Sequence, residues 1–161
     1  MTHTPSTIDR PNTIPWPPII VVCTIAIGVI LNGLYSLGSP FGLVGELLFG
    51  LGLMTIVIAI LIDIGAMRTM SKAKTTILPN KGSAHLVTKG VFAFSRNPIY
   101  LANAMLIFGL GLVFANYWLC LAMPFAAYAT QKLAIEREEK HLETRFGSSY
   151  RSYKKKVNRW I

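Results

Sequence analysis

The sequence predicts an all-α, polytopic membrane protein with four transmembrane helices, the last two forming a C-terminal helical hairpin. Three observations carry that expectation. Hydrophobic residues make up 52% of the 161-residue chain and charged residues only 14%, and the mean hydropathy is +0.47, a balance foreign to ordinary soluble domains. Apolar and charged residues are also kept in separate blocks. Finally, the sixteen Lys and Arg fall in three places: Arg10, six between 67 and 97, and nine between 131 and 161. Four spans put all three basic regions on one side of the bilayer, as positively charged cytoplasmic loops require, whereas three spans would divide them. The expected protein is therefore multi-pass, with N- and C-termini cytoplasmic, in a bacterial inner membrane. Its length fits one domain, 1–161.

Residues 1–18 are polar and Pro-rich and read as a mobile N-terminus, with Trp16 as an interfacial anchor. No short cleavable signal pattern precedes the first apolar block, so that block is expected to be retained. Spans are predicted at about 19–37 and 41–66, separated by a Gly-Ser-Pro break. Glu46 and Asp63 lie near the ends of the second span and read as interfacial. A third span follows over about 99–114 and a fourth over 117–134, which contains Pro124. FGLGL occurs at 49–53 and again at 108–112. Either it marks matched close-packing surfaces or it is chance in so apolar a chain. Beyond Gln131 the helix leaves the membrane and continues, amphipathic and charged, to about Phe146.

Two segments stand out from this layout. His85–Tyr100 reads HLVTKGVFAFSRNPIY, with no acid between 67 and 97. Arg96 carries a permanent charge and five fixed donors; Pro98 suits a first helical position; Gly90 lets backbone approach a ligand closely. The second segment is Glu136–Tyr153. Ile135, Leu142 and Phe146 share a helical face, and Glu138 and Glu139 interrupt that apolar stripe. From spacing alone, a functional carboxylate and one paired with Arg145 or Lys132 are equally good readings.

LVTKGVFAFSRNPIYL, together with EREEKHLETRFGSSYRSYKKKVNRWI, resembles the membrane methyltransferase family that includes isoprenylcysteine carboxyl methyltransferases and phospholipid N-methyltransferases. The resemblance implies methyl transfer from S-adenosylmethionine, without a metal, between cytoplasmic segments 84–100 and 131–161. It implies a first cofactor contact at Ala84-His85 with Leu86 and Val87, and an aromatic contact at Phe92, where the family often has Tyr. Asn97 stands for the His of Arg-His-Pro, and Pro98, Ile99 and Tyr100 match. Glu138, beside Glu139, matches the cofactor-binding acid. Arg96 and Glu138 are the expected catalytic residues, and Gly90 completes the cofactor set. The eukaryotic isoprenylcysteine enzymes have an Arg one turn before that Glu; here the position is Ala134, with Lys132 and Arg137 as candidate substitutes.

The chemistry fits those residue types. A sulfonium bearing an aminocarboxylate and an adenosine wants carboxylate, Arg and aromatic faces, and one ring stabilises a cation by roughly 0.5–2 kcal/mol. No G-x-G-x-x-G fingerprint or alternating βα pattern offers a soluble cofactor domain instead. His85 is taken as a cofactor contact only. The expected acceptor is an amphiphile entering sideways from the cytoplasmic leaflet, with Ala102, Ala104, Gly109 and Gly111 either leaving room for its tail or packing helices. Carboxyl O-methylation is favoured over a phospholipid amine. The competing readings are a phospholipid N-methyltransferase, a sterol-reductase-like NADPH enzyme and a non-enzymatic membrane scaffold.

The net charge of +9 does not predict nucleic-acid binding. Basic residues flanking apolar helices are topology signals and anionic-lipid contacts. The tail from Tyr150 to Ile161 is accordingly read as an interfacial anchor, with closure of Arg159 and Trp160 over the cofactor as the lesser reading. Cys23 and Cys120 read as packing residues, and the three His have no metal-ligand spacing with them.

Overall fold

A computed structural model describes residues 14–73 and 85–161, and among these it is all-helical. The expectation of a mobile N-terminus falls outside the described residues up to position 13, as does the contact expected of Ala84. Helix α1 is Trp16–Leu34, α2 is Leu43–Lys72, α3 is Pro98–Val113, α4 is Tyr117–Thr130 and α5 is Glu136–Lys156. A 3₁₀ turn, Gly90–Ala93, precedes α3, and a π-turn, Gln131–Ile135, joins α4 to α5 without a break.

Residues 16–18 are helical rather than mobile. Pro17 and Pro18 occupy the first turn of α1, where a missing N–H costs nothing and the fixed φ already suits a helix. Among the described residues, α1 and α2 are the two helices long and apolar enough to cross a membrane. At 30 residues, α2 is about 45 Å long against ~30 Å of hydrocarbon, so its end around Arg68 and Lys72 projects beyond the apolar layer. Ile27, Val29 and Ile30 of α1, and Leu47, Met54 and Leu61 of α2, are each more than half exposed. A soluble protein would not leave such continuous apolar faces in water.

The helices form a row: α2 packs on α3, α3 on α4, and α4 on α1. The FGLGL repeat marks the first of these contacts. A Cβ on Gly52 would sit 2.9 Å from the carbonyl oxygen of Gly109, and one on Gly109 would sit 3.0 Å from that of Gly52. Only glycines let two membrane helices approach so closely. Gly111 meets Cys120 of α4 in the same way, and Ala102 is wholly buried. Of the small residues on α3 considered as room for an acceptor tail, these three are filled by helix packing. At the other end of the row, the Asn116 amide donates to the Gly28 carbonyl at 3.0 Å and ties α4 to α1.

Candidate functional site

Where α2 ends and α1 and α3 begin, the row leaves a cavity of about 360 Å³, closed by the 85–97 segment and α5. That volume lies within the range of small-molecule sites. The cavity has two chemical halves. Pro17, Pro18, Val21 and Val22 of α1, with Met70 of α2, make one side apolar. Arg96, Tyr100, Glu138, Glu139, Tyr150 and Tyr153 make the other polar.

The 85–97 segment is held by its backbone. Gly90 has φ +62°, and a Cβ there would lie 2.8 Å from Thr69 Oγ1, so glycine seats the 3₁₀ turn against α2. Ser95 Oγ accepts the Asn97 N–H at 3.1 Å, and Pro98 opens α3 as expected. Arg96 is thereby directed inward, its side chain only 8% exposed. Its Nη2 lies 3.0 Å from Glu139 Oε1, whereas Nε and Nη1 are buried without a hydrogen-bond partner. A buried charged donor left unpaired costs more than a neutral one, at least about 1–3 kcal/mol.

Glu138 and Glu139 are neighbours in sequence with different surroundings. Glu139 is buried between two guanidiniums: besides Arg96, Arg159 grips it in bidentate fashion, Nε to Oε1 at 3.1 Å and Nη2 to Oε2 at 2.7 Å. Glu138 pairs with no cation among the described residues and accepts from the Tyr100 hydroxyl at 2.9 Å. Burial pushes its carboxyl above the ordinary range and the Glu139 charge adds to this, while the Tyr100 hydrogen bond opposes it. Glu138 is thus a carboxylate poised to take a proton beside one that is locked in a salt bridge.

The chain reaches this geometry through two irregularities. The π-turn widens one turn of the helix, and the extra residue rotates everything after it by about 100° relative to an uninterrupted count. Ala134 and Ile135 are consequently both fully buried, and Ala134 does not line the cavity. Neither candidate substitute lines it: Lys132 pairs with Glu136 at 2.8 Å on the surface, and Arg137 is exposed. The second irregularity is Gly147, with φ +50°, which turns the helix back where the sequence predicts its end. Beyond the bend, Lys154 reaches Glu143 at 3.3 Å. Tyr150 and Tyr153, three apart on one face, stack edge to face at 6.2 Å beside the cavity. The Tyr153 hydroxyl donates to the Phe92 carbonyl at 2.5 Å; burial raises its pKa to about 12 and raises that of Tyr150 as well.

The segment after α5 returns to the same place. The Arg96 N–H donates to the Asn158 carbonyl at 3.1 Å, the Asn97 amide donates to the Arg159 carbonyl at 3.0 Å, and the Trp160 indole donates to Gln131 Oε1 at 3.0 Å. This seats Arg159 against Glu139 and Trp160 against Gln131, behind the cavity wall rather than in its lining.

His85, Leu86, Val87, Phe92, Arg96, Asn97, Pro98, Ile99, Tyr100, Glu138 and Glu139 all line the cavity; Gly90, seated on Thr69, does not. Sequence reasoning missed Asn103, Tyr150 and Tyr153 as cavity residues, and missed the pairing of Arg159 with Glu139. Two tyrosines three apart after a glycine, and Asn103 one turn beyond Tyr100, were available signals; nothing in the sequence pairs Arg159 with Glu139. Among the described residues no group of His, Cys, Asp or Glu is placed to hold a metal. What the cavity does offer is two unpartnered guanidinium donors, one carboxyl whose pKa is raised by burial and an apolar wall.

A model of the phospholipid methyltransferase family matches residues 47–149, from α2 to just past the Gly147 bend. A protein of Haemophilus influenzae, described as uncharacterized, is 33% identical over 63 residues, which are 39% of this chain and the whole of that one. No solved structure matches. The chain belongs to the phospholipid methyltransferase family.

Proposed function

We propose that this protein is an integral-membrane methyltransferase that uses S-adenosylmethionine to methylate the headgroup of an amphiphile. The observation that carries the reading is Arg96: a nearly buried guanidinium lining the cavity, with two donors unpartnered. Buried guanidinium donors left without a partner call for an anionic acceptor, and the cofactor's aminocarboxylate is such a group. When bound, S-adenosylmethionine supplies an electrophilic methyl group and departs as the neutral thioether. Arg96 would hold its carboxylate; Tyr100, Tyr150 and Phe92 supply ring faces for its cation and adenine.

For the acceptor, the electrostatics support an amine over the carboxylate that the sequence favoured. Arg96 can satisfy only one carboxylate in this way, and Glu138 would repel a second. An ammonium headgroup meets the opposite situation: Glu138, with its raised pKa, accepts the proton that must leave before the nitrogen is nucleophilic. The apolar wall from Pro17 to Val22 suits a hydrocarbon tail entering between α1 and α2 from the bilayer. Four spans with both termini on the cytoplasmic side, in a bacterial inner membrane, remain the topology that best accommodates the basic segments.

The test is to incubate the purified protein with methyl-labelled cofactor and membrane extract, then partition the product. Base-stable label in the lipid phase is expected. Base-labile label there would indicate a carboxyl ester, and label confined to small water-soluble molecules would overturn an amphiphilic acceptor.

A further inference from the structure

We infer that Arg159 is a positioning residue whose task is to keep Arg96 available to a ligand. It lies outside the 47–149 stretch that identifies the family. The inference rests on the proposed cofactor reading and extends it to a residue from another part of the chain.

Glu139 has two oxygens, and two guanidiniums compete for them. Left alone with Glu139, Arg96 would form the ordinary fork-to-fork pair, two parallel N–H···O bonds that use one edge of the guanidinium on both oxygens. Arg159 prevents this. It takes Oε1 through Nε and Oε2 through Nη2, so Arg96 is limited to Oε1 alone, through Nη2. Nε and Nη1 of Arg96 are left unpaired inside the protein. An unpaired buried charged donor is unfavourable, and the chain retains two of them on one side chain.

The rest of the tail holds Arg159 in that position. Its carbonyl accepts from the Asn97 amide at 3.0 Å and from Ser95 Oγ at 3.4 Å, while the preceding carbonyl, of Asn158, accepts from the Arg96 N–H at 3.1 Å. The competitor for Glu139 is therefore fastened to the loop that carries Arg96. The second positive charge also leaves the Arg96–Glu139–Arg159 group with a net charge of +1, which suits an anion. Removing Arg159 would make the group neutral and let Arg96 close on Glu139. Removing it should then weaken one class of ligand, that with a carboxylate, and spare ligands lacking it.

The experiment is calorimetric titration of the full chain in detergent with S-adenosylmethionine and with 5′-methylthioadenosine, which keeps the adenosine but has a neutral thioether in place of the sulfonium and lacks the aminocarboxylate. Parent, Arg159→Ala, Arg159→Lys and Arg96→Ala proteins are compared. The expected result is a loss of at least tenfold in S-adenosylmethionine affinity for Arg159→Ala, with methylthioadenosine affinity unchanged within twofold. Arg159→Lys, which keeps the charge but cannot bridge both oxygens, should fall between. Equal losses for both ligands would mean that Arg159 merely closes the cavity, and no loss for either would remove it from the site; each result overturns the inference. A parent protein that fails to bind S-adenosylmethionine would instead refute the cofactor reading. A parent that binds it while Arg96→Ala binds equally well would refute the assignment of the carboxylate to Arg96.

Discussion

Neutralising Glu139 and neutralising Glu138 should have opposite effects on stability, although the two are adjacent and chemically identical. Glu139→Gln leaves Arg96, 8% exposed, without its counter-ion in a site that water scarcely reaches. Breaking a buried ion pair by deleting one partner costs about 3–5 kcal/mol. Arg159 is 30% exposed and regains water when released, so the lower end applies, about 3 kcal/mol. For a chain of this size that corresponds to a fall of about 6–12 °C in Tm. Glu138→Gln removes a charge that burial already disfavours, and the amide oxygen can still accept from Tyr100. The folded-state pKa of Glu138 lies above its unfolded value, so the folded protein loses stability as pH rises from the ordinary carboxyl range through the folded pKa. Glu138→Gln abolishes that loss, and its Tm should equal or exceed the parent's by a margin that widens with pH across that window. Differential scanning fluorimetry in one detergent at several pH values measures both variants. If Glu138→Gln lowers Tm as much as Glu139→Gln, the distinction between a locked and a proton-accepting carboxylate is wrong.

Tyr100→Phe removes a hydrogen bond that favours ionised Glu138, so the acid limb of the pH–rate profile should move to higher pH, with a stability loss of about 0.5–1.5 kcal/mol. An unmoved limb would dissociate Tyr100 from the ionisation of Glu138. Gly147→Ala meets no neighbouring atom but forces a side chain into the left-handed region, so a backbone cost of about 1–2 kcal/mol is expected, read as a Tm fall of about 2–8 °C. Gly109→Val drives a branched side chain into Gly52 and Ile56 of α2; overpacking of about 1–3 kcal/mol should lower Tm, and an equally large drop from Gly50→Val, on α2 where an added Cβ meets nothing within 4 Å, would show the effect is not specific to the glycine crossing.

Much of this arrangement was legible because it obeys local rules. Composition and charge clustering placed the apolar helices, Pro98 marked the start of α3 to the residue, and the Arg96 and Glu138–Glu139 segments converge on one cavity. What was not legible depends on geometry without a residue signature. The resemblance sets Ala134 one turn before Glu138, at a position where related enzymes have an Arg; the π-turn over 131–135, which needs no particular side chain, leaves Ala134 buried outside the cavity lining. Gly90 was read for its backbone freedom, which it uses against Thr69 of α2, outside the lining of the cavity. The return of Arg159 to Glu139 depends on the bend at Gly147 and on hydrogen bonds from the tail's own carbonyls, neither of which any spacing reveals. The repeated FGLGL was ambiguous because glycine is common in membrane helices for several reasons, and only the facing carbonyls of Gly52 and Gly109 decide between them.

The central claim is that the cavity binds S-adenosylmethionine with its carboxylate on Arg96. The most direct measurement is titration of the purified protein with that cofactor, beside NADPH, for the parent and for Arg96→Ala. The account predicts saturable binding of S-adenosylmethionine by the parent, at least tenfold weaker binding by Arg96→Ala, a loss of about 1.4 kcal/mol or more, and no binding of NADPH. Binding of NADPH in place of S-adenosylmethionine, or equal affinity in parent and variant, would contradict it.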